Sequence, residues 1–101
     1  MDMKKMMKQA QKMQRDAAAA QQEIAAMTFE ASAGGMVKAT ATGEMAITDI
    51  TIDPAAVDPE DVEMLQDMVV AAVNEALRAA SEAANARMNA VMGGMKIPGL
   101  M

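Results

Sequence analysis

Lys4, Lys5, Lys8, Lys12 and Arg15 gather five of the chain's nine basic residues into its first 16 positions, where only Asp2 and Asp16 oppose them. The whole chain, in contrast, carries a net charge of −5, and Asp49 to Asp67 holds seven acids and no base. With Met3 as the first apolar position of a heptad, Lys4 falls at b, Lys5 and Lys12 at c, and Lys8 and Arg15 at f, all away from the apolar seam. Such a ridge has the chemistry to follow a phosphate backbone, with Gln9, Gln11 and Gln14 adding hydrogen-bond donors. The same placement also describes the solvated face of a coiled coil. Arg78 and Arg87, in a later helical stretch, are further candidates for nucleic-acid contact, or else serve solubility and helix pairing.

Other chemistries are closed by composition. The 101 residues include no cysteine and no histidine. Disulfides, thiolate nucleophiles, imidazole metal ligands, Ser-His triads and neutral-pH proton shuttles are therefore all absent, and no enzyme is expected. Asp53, Asp58, Glu60, Asp61 and Glu63 lack the spacing and glycine of a calcium loop, so they read as helix-capping acids. The methionine stripe reads as core and not as a soft-metal site. Gly34-Gly35 has no phosphate-loop context and reads as a hairpin turn. Neither cofactor nor metal is expected. No run of apolar residues has the length of a membrane span, and the N-terminus lacks a signal peptide's apolar core, which points to the cytoplasm.

The elements that position the basic ridge follow from periodicity. Met3, Met6, Ala10, Met13, Ala17, Ala20, Ile24 and Met27 alternate spacings of three and four, the mark of a coiled-coil-like helix. Phe29 and Ala31 then alternate with Thr28, Glu30 and Ser32 before the Gly34-Gly35 turn. Val37, Ala39 and Ala41 share one face of a second strand, with Lys38, Thr40 and Thr42 on the other. After a Gly43-Glu44 turn, Met45 to Ile52 forms a third strand, where Ile47 breaks the alternation and marks a bulge or a second contact surface. Asp53-Pro54 ends it. Asp58 caps a long helix from Pro59 to Met92, with Val62, Leu65, Val69, Ala72, Ala76, Ala79, Ala83, Ala86 and Ala90 as its seam. Gly93-Gly94 stops that helix, and residues 93–101 read as a flexible tail.

The fold class is thus α+β: an N-terminal helix, a three-stranded antiparallel meander and a long C-terminal helix, in one domain over residues 1–101. A sheet this small covers only part of such a helix, so the remainder protrudes or pairs with a second copy. The core inventory agrees, since 14 methionines and a single aromatic residue, Phe29, favour closely associating Ala-rich helices over a compact globule. A homodimer is expected.

With these residues in place, the chain resembles the YbaB/EbfC family of bacterial nucleoid-associated proteins. The resemblance is carried by Met7-Lys8-Gln9-Ala10-Gln11-Lys12-Met13-Gln14, Gly35-Met36-Val37-Lys38-Ala39-Thr40 with Gly43, and Ile50-Thr51-Ile52-Asp53-Pro54. Met64-Leu65-Gln66-Asp67-Met68-Val69, Val73-Asn74-Glu75-Ala76 and Gly93-Gly94-Met95 extend it along the rest of the chain. It implies a tweezer-like homodimer with projecting helices that binds double-stranded DNA in the nucleoid and influences gene expression. Among the candidate contacts, the matching opening helix includes Lys8 and Lys12. The other reading is a protein–protein adaptor that docks a partner through its acidic surface or its Ala- and Met-rich helices.

Overall fold

A computed structural model describes residues 2–93. Helix α1 (Met3–Ala26) leads into strands β1 (Thr28–Ala33), β2 (Val37–Thr42) and β3 (Ile47–Ile52), followed by a 3-10 turn (Pro54–Ala56) and helix α2 (Val62–Gly93). The sheet is an antiparallel meander in the order β1-β2-β3. This is the helix, meander, long-helix arrangement that the periodicity predicts. The expected tail lies outside the described residues except for Gly93, which is the last residue of α2.

Each turn has a local cause. Gly34 and Gly35 both sit in the left-handed region, with φ of 60° and 67°, which glycine occupies without a steric penalty. Between β2 and β3, Met45 also takes a positive φ of 64°. That conformation keeps Met45 in the turn, so β3 starts at Ile47 and not at Met45 as the pattern suggests. The irregularity expected near Ile47 is a bulge: Thr40 pairs with Asp49 and Ala41 with Ile47, leaving Thr48 as the extra residue. The bulge rotates Ile47 onto the same face as Ile50 and Ile52.

The start of α2 also differs from expectation. Asp58 does not cap it. Its Oδ1 accepts from the Glu60 N–H at 2.9 Å, and its carbonyl accepts from the Asp61 N–H at 3.0 Å, closing a separate turn around Pro59. Asp61 is the helix cap, accepting from the Met64 N–H at 3.2 Å. Several good capping acids stand in a row here, and the one used is the one that leaves the preceding turn intact.

The core is built on alanine. Ala39 and Ala41 of β2 are completely buried against Ala72, Ala76 and Ala80 of α2, with Val37 beside them. Small residues on both layers let helix and sheet approach closely, which explains why β2 carries alanines where larger β-branched residues would be expected. Phe29, Leu65, Met68 and Val69 fill the margins.

Beyond the sheet, the distal half of α2 runs antiparallel to α1. Its apolar stripe differs from the expected one: Ala86 and Ala90 are exposed, while Ala80 is buried and Ala84, Met88 and Val91 are partly buried. On α1, Ala20 and Ile24 are buried and Met13 and Ala17 partly so, whereas Met3, Met6 and Ala10 of the expected seam are exposed. The result is an elongated molecule with extents of 71 × 27 × 15 Å.

Candidate nucleic-acid interface

The basic face of α1 begins with its cap. Asp2 adopts an extended backbone, and its Oδ1 accepts from the Lys4 N–H at 3.1 Å, fixing the first turn. No acid follows in that turn; Lys4 and Lys5 occupy it instead. Cations there oppose the helix dipole at a cost of about 0.3–1 kcal/mol each. Helix stability does not account for their position, whereas an anion at this end would be attracted by both the side chains and the dipole.

At about 100° per residue, Lys4, Lys5, Lys8, Lys12 and Arg15 all fall within an arc of about 100°. They extend roughly 16 Å along the axis. All five are exposed, and none joins an ion pair among the described residues. Met13 and Ala17, on the opposite side of the helix, line a groove with Val91 of α2. The structure therefore brings these five residues together on one outward face.

Arg78 and Arg87 stand apart from that face. Arg78 is held by Glu75 one turn before it and Glu82 one turn after. The Arg78 hydrogen bonds keep the Glu75 carboxyl below its ordinary value, and the carboxylates push the guanidinium further above its own. Arg87 reaches across to α1, donating from Nε and Nη2 to Glu23 Oε2 at 3.1 and 2.8 Å. The Arg78 cluster is legible as i,i+3 and i,i+4 spacing. The Glu23–Arg87 link joins residues 64 positions apart and has no local sequence signal.

The acids collect at the other end of the molecule, where they build turns and caps. Asp53 Oδ1 accepts from the Ala55 N–H at 2.9 Å, alongside the Asp58 and Asp61 bonds already described. Among the described residues no group of three or more acidic side chains is placed to hold a metal ion. Nor is any helix there long and apolar enough to cross a membrane.

The geometry is thus an exposed basic face at the free end of a helix on an α-β-β-β-α scaffold, and comparison with known proteins gives the family. The model of the YbaB/EbfC DNA-binding family matches residues 1–95, and the chain belongs to that family. It is 52% identical to a nucleoid-associated protein of Ruminiclostridium cellulolyticum, with 98% of this chain and 88% of that one covered. A nucleoid-associated protein of Pelotomaculum thermopropionicum is 53% identical, with 98% and 95% covered. One of Acetivibrio thermocellus is 56% identical, with 94% and 86% covered. The fold is similar to the crystal structure of an uncharacterized protein from Helicobacter pylori, with a TM-score of 0.72 at 23% identity over 95% of this chain and 99% of that one. The family is one of nucleoid-associated DNA-binding proteins and not an enzyme family.

Proposed function

We propose that this chain works as a single unit that binds double-stranded DNA as a homodimer in the cytoplasmic nucleoid, with roles in nucleoid organisation and gene expression. Phosphate contacts carry the binding. The observation behind this is the outward face of α1, where five exposed bases share one arc without carboxylate partners among the described residues. Among the described residues no helix is set up like a recognition helix with a base-reading set, so in this reading the contacts position the duplex without reading its sequence. Arg78 and Arg87 would have to release Glu75, Glu82 or Glu23 before reaching a phosphate, and they are secondary contacts in this reading.

Support for the homodimer comes from surface area. The chain exposes 7504 Å², against about 5,500 Å² for a compact monomer of its mass. The excess of about 2,000 Å² reflects an elongated chain, 71 Å long, whose projecting helices leave apolar side chains such as Met3 and Met6 uncovered. Two copies also double the number of basic arms available to one DNA molecule.

The test is a gel-shift titration with several unrelated duplexes at two salt concentrations. Similar affinities for all duplexes, falling steeply with salt, are expected, because neutralised phosphates release condensed counterions. No shift at low salt would overturn the reading and favour a protein–protein adaptor that uses the acidic end or the Ala- and Met-rich helices.

A further inference from the structure

Helix α1 outruns its packing. Arg87 of α2 meets Glu23, and Val91 shares a groove with Ala10, Met13, Gln14 and Ala17, so α2 ends at Gly93 beside the middle of α1. Residues 3–9 project past that end, and all of them are exposed. Two turns of helix standing alone are unstable in water, because so few backbone hydrogen bonds do not offset the cost of nucleation. Here Lys4, Lys5 and Lys8 also crowd one side and oppose the helix dipole. Some packing must therefore hold the projecting turns. The face opposite the bases carries Met3, Met6, Met7 and Ala10, in line with Met13 and Ala17 of the groove. Met3, Met6 and Met7 are 75%, 51% and 60% exposed. A continuous apolar stripe thus begins between the two helices and runs off the end of α2 uncovered.

We propose that the segment following α2 in the same chain, Gly94 to Met101, docks along this stripe and braces the arm on the face opposite its basic ridge. This replaces the free tail that Gly93-Gly94 suggests in the sequence with a docked one. The segment leaves α2 where the groove gives way to the uncovered stripe. Its residues are Gly94-Met95-Lys96-Ile97-Pro98-Gly99-Leu100-Met101, with four large apolar side chains and one charge. Eight extended residues span at most about 26 Å. The distance along the axis from the end of α2 to Met3 is roughly 13 Å, which leaves slack for a change of direction at Gly94. Attachment two residues beyond Val91 also gives the segment a high effective concentration at the stripe. A second copy is a poorer occupant, because it would bring another five-base arm alongside this one. The homodimer proposed above does not depend on the stripe, since Val62 and Val70 of α2 are also half exposed.

The experiment follows peroxide oxidation of individual methionines by mass spectrometry, with Met64, 59% exposed at the far end of the molecule, as the internal reference. In the wild-type chain Met3 and Met6 are expected to form sulfoxide about threefold more slowly than Met64, because the docked segment shields their thioethers. Equal rates overturn the proposal, and this comparison needs no variant. A chain ending at Gly93, and I97E/L100E in the full chain, should each bring Met3 and Met6 up to the Met64 rate. Protection that persists in both variants overturns the proposal, since something else then covers the stripe. M6C/I97C decides which chain supplies the segment, because no other cysteine is present. A short bismaleimide is expected to join the two thiols within one chain, leaving a denatured mass near 10.6 kDa. A covalent species of twice that mass, or thiols that do not join, overturns docking within the chain.

Discussion

Gly43 lies against the backbone carbonyl of Ile24, so closely that a Cβ at position 43 would stand 1.8 Å from that oxygen. The Gly43 N–H also donates to the Met27 carbonyl at 3.2 Å. This contact pins the β2–β3 turn to the end of α1 and so sets the direction in which the basic arm leaves the sheet. Gly43→Ala forces two backbone segments apart, with no flexible side chain to yield. A loss of about 2 kcal/mol or more is expected, read as a lowered midpoint in chemical unfolding. Gly35→Ala is the informative partner: nothing lies within 4 Å of its added Cβ, but its φ of 67° still penalises a side chain. Its cost is backbone strain alone and is expected to be smaller than that of Gly43→Ala.

The alanine interface gives a second expectation. Ala39 and Ala41 are fully buried against Ala72, Ala76 and Ala80, so there is no slack for a larger side chain. Ala76→Leu must lift α2 from β2 and should cost about 1–3 kcal/mol, despite raising helix-compatible hydrophobicity. Thermal unfolding is the measurement. A stabilised variant would mean that the two layers are looser than their complete burial indicates.

Much of this architecture is legible in the sequence, because strand alternation and glycine turns are strong signals where side chains contrast. Val37, Ala39 and Ala41 are read onto the buried face on that basis. The distal half of α2 is harder. Alanines stand at Ala79, Ala80, Ala83, Ala84 and Ala86, so a heptad stripe and the observed Ala80, Ala84, Met88 and Val91 stripe fit the residues almost equally well. The choice is made by where α1 lies, which is a tertiary fact. For the candidate interface, the basic arc on α1 follows from helical spacing alone. Glu23 could not be assigned to Arg87 without the antiparallel pairing of the two helices.

The start of α2 separates two acids that look equivalent in sequence. Asp61 accepts from the Met64 N–H, while Asp58 serves the turn before it. Asp61→Ala leaves an orphan donor in the first turn of a 32-residue helix and should cost about 1 kcal/mol. Asp58→Ala should cost less, since the backbone bond from Asp61 N–H to its carbonyl remains. Urea unfolding of the two variants side by side checks the order, and the reverse ranking would return the cap to Asp58.

The most direct expectation for binding concerns Lys8 and Lys12, one turn apart and exposed on the same arc of α1. Reversing both charges, as K8E/K12E, removes two phosphate contacts and adds two repulsions without touching the Met13, Ala17 and Ala20 side of the helix. Affinity should fall for every duplex alike, and the slope of log affinity against log salt should become shallower by about 0.9 for each lost contact. Arg78→Gln tests the secondary site. Its guanidinium is engaged by Glu75 and Glu82, so its removal should alter the salt slope far less than loss of the two lysines. Circular dichroism must show that the double variant keeps its helices. If it does, and affinity and slope are unchanged, the arc on α1 is only a solvated face and the adaptor reading takes precedence. A slope that flattens with Arg78→Gln but not with K8E/K12E would instead move the DNA contact from α1 to α2.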